Sequence, residues 1–485
     1  MARPFRIGKP DLHRSVSAGF GLVLGLILNS APALGQPGRQ EPDSFLNQQR
    51  RIEQEIQDKL DDALPPANRT ALEYGGWYSF YLFMFDDGIE SSRTFRRNDL
   101  QVWTRLTLDR GAHEIFARGR LSFIDFNAGD SYDRNDDDWE GPNLERGYYQ
   151  FDLRRAMSAY AGKNLDYNLK FKIGRDLVTF GTGYALSTPL DHVQLQAQAA
   201  GFELTGIVGR TVGSADDFDR TRPIHRTRRA FFGTQVRYLN FDRHRPFVYV
   251  LWQQDHNSDR PTLPLLQDYT YDSFYVGLGS EGELARNLRY STEWVWEAGR
   301  NFGDRRFAKR NRIQAWAFDA ELEYLLEAPT QPTASVEYMF ASGDADRRFS
   351  PTDTLGGNRG DFRDTGFNAF GWRDTGLALA PVLSNMHIWR AGATCVPLQG
   401  KTWCRRLELG TDAYLFWKHH RSAAISDPTS TISSGYVGWE MDFYANWEIT
   451  HDLAWTTRYG IFFPGKAFDD RTTRTFFLMG MTWSF

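Results

Sequence analysis

Basic residues recur at alternate positions in two segments of the sequence, Arg118–Arg120 and Lys170–Lys172, and Arg175 follows the second segment. Side chains two positions apart point to the same side of an extended strand, so each segment presents a small cationic column. Ammonium and guanidinium groups bind carboxylates, and guanidinium does so with two parallel hydrogen bonds. The spacing therefore predicts contacts with an anionic solute, and Lys170, Lys172 and Arg175 are the leading candidates for a constriction.

Three other motifs offer less chemistry. Gly277–Gly282 fits G-x-G-x-x-G, but the pattern after it predicts a strand and not a phosphate-binding helix. The pair His419–His420 has no evident nucleophile or acid partner, so we expect no enzyme activity and no cofactor. The acidic residues between Asp130 and Asp138 could hold calcium loosely or form a solvated loop, and we predict no metal site.

The composition combines many large aromatic residues with a polar average. The chain has 15 Trp and 36 Phe among 485 residues, yet its mean hydropathy is -0.52. Large apolar side chains are thus diluted by polar ones throughout. The net charge of -4 gives no global field that would attract nucleic acid.

The N-terminal region differs from the rest. Basic residues, the apolar stretch Ala18–Leu28 and small residues up to Gly35 predict a signal peptide over residues 1–35. Helix formers in Ser44–Leu64 predict a periplasmic spacer over residues 36–70, which either docks secretion components or is poorly ordered. The remaining domain, residues 71–485, carries the cationic columns.

A period of two dominates from Leu72 onward. In Val437–Trp447 one face is apolar and the other polar. Many such segments exceed ten residues, whereas strands of globular proteins average five or six and membrane strands need about nine to eleven. The pattern therefore predicts an all-β fold, a transmembrane antiparallel up-and-down barrel in the outer membrane.

The pattern yields eighteen candidate strands, an even number as single-chain bacterial barrels require. Long polar loops alternate with short turns, which is typical of outer-membrane barrels. Trp483 and Phe485 end an outward apolar face and are expected to act as a signal for the barrel assembly machinery. The strands are predicted to begin near residues 72, 97, 113, 145, 166, 191, 201, 229, 245, 271, 287, 311, 332, 384, 404, 435, 452 and 473.

If the apolar faces contact lipid, the alternate positions line a lumen. The predicted basic wall contains Arg105, Arg118, Arg120, Arg146, Lys170, Lys172, Arg175 and Arg237. The predicted acidic wall contains Glu293, Asp319, Glu321, Glu323, Glu408, Asp412, Glu440 and Asp442. Either these walls select a charged solute, or their charges neutralise one another and hold the barrel round.

Four segments follow one another over most of the chain: Leu169–Leu177, Ala334–Asp344, the loop Gly357–Phe362 and the return at Leu383–Asn385. In these segments and their order the sequence resembles the alginate-export porin family. The resemblance implies a barrel of eighteen strands that secretes an acidic polysaccharide through a basic lumen. It also implies that Arg359 and Arg363 reach into the pore.

These observations predict an outer-membrane pore for secretion of an anionic exopolysaccharide such as alginate, by passive diffusion. The alternative is a general or anion- and sugar-selective uptake porin, because a pore has no intrinsic direction. An outer-membrane barrel enzyme is the remaining, weaker hypothesis.

Cys395 and Cys404 are the two cysteines of the chain. They are close in sequence, and an exported protein encounters an oxidising environment. We expect a disulfide between them at a periplasmic turn.

Overall fold

The computed structural model describes residues 70–485 apart from 87, 89–91, 132–136, 214–216, 220–226, 258–268, 305–306, 355–357, 359–362, 400, 402–403 and 405. The predicted signal peptide, the predicted helical spacer and Arg359 lie outside the described residues. No helix in the described part of the chain is long and apolar enough to cross a membrane.

In the part of the chain that the structure describes, eighteen long strands and one short strand form a single sheet. The pattern of alternating residues thus locates every predicted strand. The strands are β1 Thr70–Phe85, β2 Arg93–Leu108, β3 His113–Phe126, β4 Asp137–Asp152, β5 Asn168–Phe180, β6 Leu186–Ala199, β7 Phe202–Thr211, β8 Arg229–Tyr238, β9 His244–Asp255, β10 Asp272–Ala285, β11 Leu288–Asp304, β12 Phe307–Leu325, β13 Thr333–Ala341, β14 Arg363–Asp364, β15 Met386–Cys395, β16 Leu407–Lys418, β17 Tyr436–Glu448, β18 Leu453–Pro464 and β19 Arg474–Ser484.

The sheet closes on itself. Each long strand pairs antiparallel with its neighbours, and β1 pairs with β19 from Trp77 opposite Ser484 to Phe85 opposite Phe476. The short strand β14 pairs in parallel with Arg312 and Ile313 of β12. These two residues precede the segment of β12 that pairs with β13, which begins at Ala317. A closed sheet has no free edge. In lipid such closure is required, because no water is available to hydrogen-bond the backbone groups of an edge strand. The predicted barrel is confirmed.

The two faces of the barrel differ as the alternation predicts. Trp252, Trp294 and Leu415 are exposed on the outer face. Their neighbours along the chain, Gln253 and Glu293, are buried inside. An apolar outer face matches a hydrocarbon environment, and the polar face encloses the lumen.

The connections distinguish the two ends. Long loops join the strands at one end, which is therefore the extracellular end, and short turns join them at the periplasmic end. One turn contains a single α-helix, α1 Leu153–Ala161, between β4 and β5. It begins where the Asp152 carboxylate accepts a hydrogen bond from the Arg155 amide, and it ends at Gly162, whose φ is 62°.

The strand boundaries differ most from the prediction in β4, which begins at Asp137 and not near residue 145. Two register shifts interrupt its pairing with β3, between Arg118 and Gly119 and between Arg120 and Ser122. A β-bulge changes which residues face inward, so the alternation of apolar and polar residues along the sequence is interrupted there.

The predicted disulfide is absent. Both Cys395 and Cys404 are free thiols, Cys404 is buried and Cys395 is half-buried. They do lie near the expected periplasmic turn, but the register of β15 and β16 places Leu409 opposite Cys395. Cys404 instead sits in the turn, where its amide donates to the Lys401 carbonyl oxygen.

Candidate functional site

Two extracellular connections turn inward. The first, the inner turn, is residues 181–185 between β5 and β6, and the second, the strap, is residues 365–385 between β14 and β15. They pair with each other, since the Phe370 amide donates to the Ala185 carbonyl oxygen at 3.0 Å and the Trp372 amide to that of Gly183 at 3.1 Å. The pairing satisfies backbone groups that would otherwise be buried without partners.

Arg373 of the strap joins these connections to the barrel wall. Its Nη1 donates to the Thr182 carbonyl oxygen at 3.0 Å, and its Nη2 contacts the Thr182 hydroxyl. Its Nε and Nη2 donate to Asp319 on β12, at 3.0 and 2.9 Å. Its guanidinium also lies 4.9 Å from the Tyr184 ring centroid. One side chain thus fixes the strap and the inner turn against β12.

Arg373 keeps its charge in this position. Burial lowers the pKa of an arginine, but the carboxylates of Asp319 and Glu293 outweigh burial and raise the pKa of Arg373 above its ordinary value. A permanent charge with several hydrogen bonds makes a strong anchor.

Glu293 on β11 anchors the inner turn. Its carboxylate accepts hydrogen bonds from the Thr182 amide at 2.6 Å and from the Tyr249 hydroxyl at 2.5 Å. Two residues of β8 hold the other side of the turn, because the Gln235 side chain accepts from the Gly181 amide and Arg237 donates to the Gly181 carbonyl oxygen. The inner turn is therefore held on both sides.

Glu440 on β17 anchors the second half of the strap. Its carboxylate accepts from the backbone amides of Leu377, Ala378 and Leu379, at 2.6, 2.7 and 2.9 Å. A carboxylate that receives several amide donors forms charge-assisted bonds, which are stronger than neutral ones.

Aromatic packing completes the insertion. Phe370 lies edge-on to Phe231, with ring centroids 5.0 Å apart, and Phe367 packs 6.0 Å from Tyr184. These residues belong to a buried cluster shared by the strap, the inner turn and the barrel wall. Buried apolar area holds the strap inside the lumen in addition to its polar anchors.

Part of the predicted acidic wall is therefore covered and cannot face a solute, whereas Glu321, Glu323 and Glu408 remain half-buried. Glu293, Asp319 and Glu440 do point inward, but they are buried under the strap and the inner turn. Asp412 is also buried and binds Arg390 at 3.0 Å. The alternation predicted the correct face, but it carried no information on what covers that face.

The lumenal face of β1–β5 carries aromatic rings between its basic residues. Trp103, Phe116 and Tyr148 stack in sequence, with ring centroids 6.3 and 5.4 Å apart. Arg146 lies 5.5 Å from the Phe116 ring, and the Lys172 ammonium lies 4.4 Å from the Tyr148 ring. We name this surface the cationic ladder; its basic residues are Arg105, Arg118, Arg120, Arg146, Lys170 and Lys172.

Each basic residue of the ladder has an acidic neighbour, so its field is weaker than a basic wall would produce. Glu145 lies at the register shift between β3 and β4 and faces Arg118 and Arg120. The remaining basic residues pair with Glu73, Asp152 and Asp176. The ion-pair distances are 3.5 Å for Arg105–Glu73, 3.0 Å for Arg118–Glu145, 3.1 Å for Arg120–Glu145, 2.6 Å for Arg146–Asp176, 3.8 Å for Lys170–Asp152 and 2.8 Å for Lys172–Asp176.

Two predicted lumen residues lie on the outer face. Arg175 occupies an outward position of β5 between Ile173 and Leu177, and it pairs with Asp191 at 2.7 Å. It is three positions from Lys172, so the strict alternation turns it away from the lumen. Arg363 is exposed beside Arg312 of β12 and does not reach into the pore.

Several residues of the site could not be recognised from any local pattern. Arg373 and Thr182 lie in connections without periodicity, and their contact joins positions 191 residues apart. Only the glycines around Thr182 indicated a tight turn. Within the described residues no group of three or more His, Cys, Asp or Glu side chains is placed to hold a metal ion.

His419 holds the start of the loop that follows β13. Its Nδ1 accepts a hydrogen bond from the Gly343 amide at 3.0 Å, which requires a neutral ring. Burial, with the neighbouring His420 and His387, lowers the pKa of His419 to about 4. The neutral form is therefore favoured in the folded state.

This gives a prediction on pH. Because the folded pKa lies below the ordinary value of about 6.5, the attachment is intact above pH 6.5 and weakens as pH falls toward 4. In planar bilayers, current fluctuations should become more frequent at pH 4.5 than at pH 7. The His419→Gln variant should lose this pH dependence, and equal fluctuations of the unaltered protein at both pH values would contradict the assignment.

The closed barrel with an apolar outer face and a charged, partly filled lumen is an outer-membrane pore. Its sequence identifies the family: residues 90–477 match the alginate export family, and the chain belongs to it. No curated protein sequence matches the chain.

Solved structures share the fold. Pseudomonas aeruginosa OccK5 (OpdH) superposes with a TM-score of 0.53 at 10% identity, covering 85% of this chain and 98% of that one. The outer membrane protein opdK from Pseudomonas aeruginosa gives 0.51 at 11% identity, covering 85% and 99%. A BenF-like porin from Pseudomonas fluorescens Pf-5 gives 0.50 at 10% identity, covering 85% and 98%.

Proposed function

We propose that this pore secretes an anionic exopolysaccharide of the alginate kind by passive diffusion, and that it is not an enzyme. The cationic ladder is the observation that carries the proposal. Its half-buried members offer guanidinium and ammonium groups for carboxylates and the rings of Trp103 and Tyr148 for the C–H surfaces of sugars, along one side of the lumen, whereas Arg118 and Phe116 are buried. The proposed partners are the anionic polysaccharide, outer-membrane lipid and the barrel assembly machinery, with secretion components contacting residues 44–64.

The paired state of the ladder suits transport. A basic residue that already has an acidic neighbour exchanges one carboxylate for another when a uronate passes, so each contact is weak. Conduction requires binding that is favourable enough to enter and weak enough to leave. Several weak contacts along a strand direction fit a polymer better than one tight site.

Lys170 and Lys172 give the sharpest test, because both retain some solvent exposure on the lumenal side of β5. Changing both to glutamine should weaken block of the pore by oligomannuronate in planar bilayers by about thirtyfold or more, since each of the two charge-assisted contacts contributes about 1 kcal/mol or more. Anion preference should fall at the same time.

Arg175→Gln is the matched control, since it removes a positive charge from the same strand but on the outer face. It should leave block and selectivity unchanged. Wild-type block in the double lysine variant, with normal insertion and conductance, would remove the residue-level support for an anionic polymer.

Uptake of small anions or sugars is the second candidate. The inserted strap and inner turn favour it, because they occupy part of the lumen and so restrict large solutes. Proteoliposome assays separate the two functions: secretion predicts release of trapped oligomannuronate of increasing length, whereas uptake predicts a sharp cut-off near the size of one or two sugars.

A further inference from the structure

The outer face of β11 and β12 carries a patch of tryptophans. Trp294 stacks on Trp296 with ring centroids 5.5 Å apart, and on Trp316 with centroids 5.2 Å apart. All three are exposed on the outward face. Tryptophan prefers the boundary between hydrocarbon and headgroups, so this patch marks the membrane interface.

Three arginines lie in a row on the extracellular side of this patch. Arg300 of β11 is directly opposite Arg312 of β12, and Arg363 of β14 is the parallel partner of Arg312. All three residues are exposed. Within the described part of the chain, none of them has an ion pair or a side-chain hydrogen bond.

A neighbouring arginine, unlike the three of the row, has an acidic partner among the described residues. Arg310, on the same strand, donates to the Asp272 carboxylate at 2.9 Å. Like charges directly opposite each other on adjacent strands destabilise a sheet. Three adjacent arginines therefore impose a cost that an anion bound between them would remove.

The row also lies at the right height for a headgroup. Arg300 is four residues beyond Trp296 and Arg312 is four residues before Trp316, on antiparallel strands. At about 3.3 Å per residue the arginines lie roughly 13 Å along the strands from the tryptophans, on the extracellular side. Strand tilt shortens this separation along the membrane normal.

The row faces away from the lumen. Ile313 and Asp364, the next pair in the same register, are buried on the opposite side. A polymer that moves through the barrel would not pass over this surface, whereas outer-leaflet lipid surrounds it.

We propose that Arg300, Arg312 and Arg363 form a binding site for the phosphate groups of a phosphorylated glycolipid in the outer leaflet. Guanidinium groups bind phosphate through paired charge-assisted hydrogen bonds, and the tryptophans contact the acyl-chain boundary below. The site lies outside the transport path and goes beyond the pore function proposed above.

The test uses the purified full-length barrel in a neutral detergent with bisphosphorylated lipid A, its dephosphorylated form and inorganic phosphate as probes. Binding is followed by tryptophan fluorescence and by the rise in unfolding temperature. Bisphosphorylated lipid A should bind at least about tenfold more tightly than the dephosphorylated form, as expected for lost charge-assisted bonds. The variant Arg300→Gln with Arg312→Gln and Arg363→Gln should abolish that difference.

Arg286→Gln is the control, because Arg286 is an exposed arginine at the periplasmic end, paired with Glu327. It should bind lipid A like the unaltered protein. Without lipid, the triple variant should be at least as stable as the unaltered barrel, and lower stability would overturn the like-charge argument. Equal affinity for both lipid forms would overturn the proposal, as would displacement of lipid A by equimolar inorganic phosphate or oligomannuronate.

Discussion

Replacing Arg373 by glutamine should raise the occupancy of a larger-conductance state by at least about two orders of magnitude. Arg373 is the side chain that binds both the inner turn and Asp319, and removing one partner of a buried ion pair costs about 3–5 kcal/mol. Since 1.4 kcal/mol is a factor of ten, that cost strongly favours a detached strap. Single-channel recording of purified protein in planar bilayers measures the occupancy directly.

Arg390→Gln is the matched control for this experiment. Arg390 also bridges two carboxylates, those of Glu337 and Asp412, but all three residues belong to barrel strands. Its hydrogen-bond partners lie in the wall, and Asp374 of the strap acts on it electrostatically, so its loss should destabilise the wall and release the strap less than the loss of Arg373 does. If Arg373→Gln inserted normally and kept the unaltered conductance, the strap would be held by its packing and by Glu440, and Arg373 would not be the decisive anchor.

Replacing Gly76 by valine should reduce the amount of folded barrel in the outer membrane at least about tenfold. Gly76 exchanges two backbone hydrogen bonds with Phe485 at the seam between β1 and β19, at 3.0 and 2.9 Å. A Cβ at Gly76 would lie 2.5 Å from the Gln101 carbonyl oxygen and 2.8 Å from the Phe485 ring. The backbones of β1 and β2 would have to move apart and the terminal Phe485 ring would be displaced from the seam, and unpaired backbone groups in lipid are costly.

Gly206→Val on β7 separates this effect from the general effect of a valine, because a Cβ there meets nothing within 4 Å. It should assemble normally, since valine favours strands. Heat-modifiable migration of the barrel in membrane fractions measures assembly. Equal amounts of folded protein for both variants would contradict the role assigned to Gly76 and Phe485 in closure.

The sequence located the strands well, because strand periodicity is a local property. Side chains alternate within each segment, so eighteen strands could be recognised without knowing their neighbours. The same alternation placed Lys170 and Lys172 in the lumen. Arg175 was assigned incorrectly because an odd spacing from Lys172 was overlooked, and one position reverses the face.

The functions of the inward acids could not be predicted. Glu293, Asp319 and Glu440 alternate like lumen-facing charges that meet a solute. Their partners are Thr182, Arg373 and the amides near Ala378, which lie 54 to 111 residues away along the chain. No local pattern records such contacts.

The sequence by itself determined the barrel, its orientation and its outward aromatic surface, because lipid imposes the same alternation on every strand. The tertiary structure alone decided which lumenal charges are covered, since that depends on how the strap and the inner turn fold back inside the closed sheet. It also decided that Arg300, Arg312 and Arg363 stand side by side, because strand register and the pairing of β14 with β12 bring distant positions together.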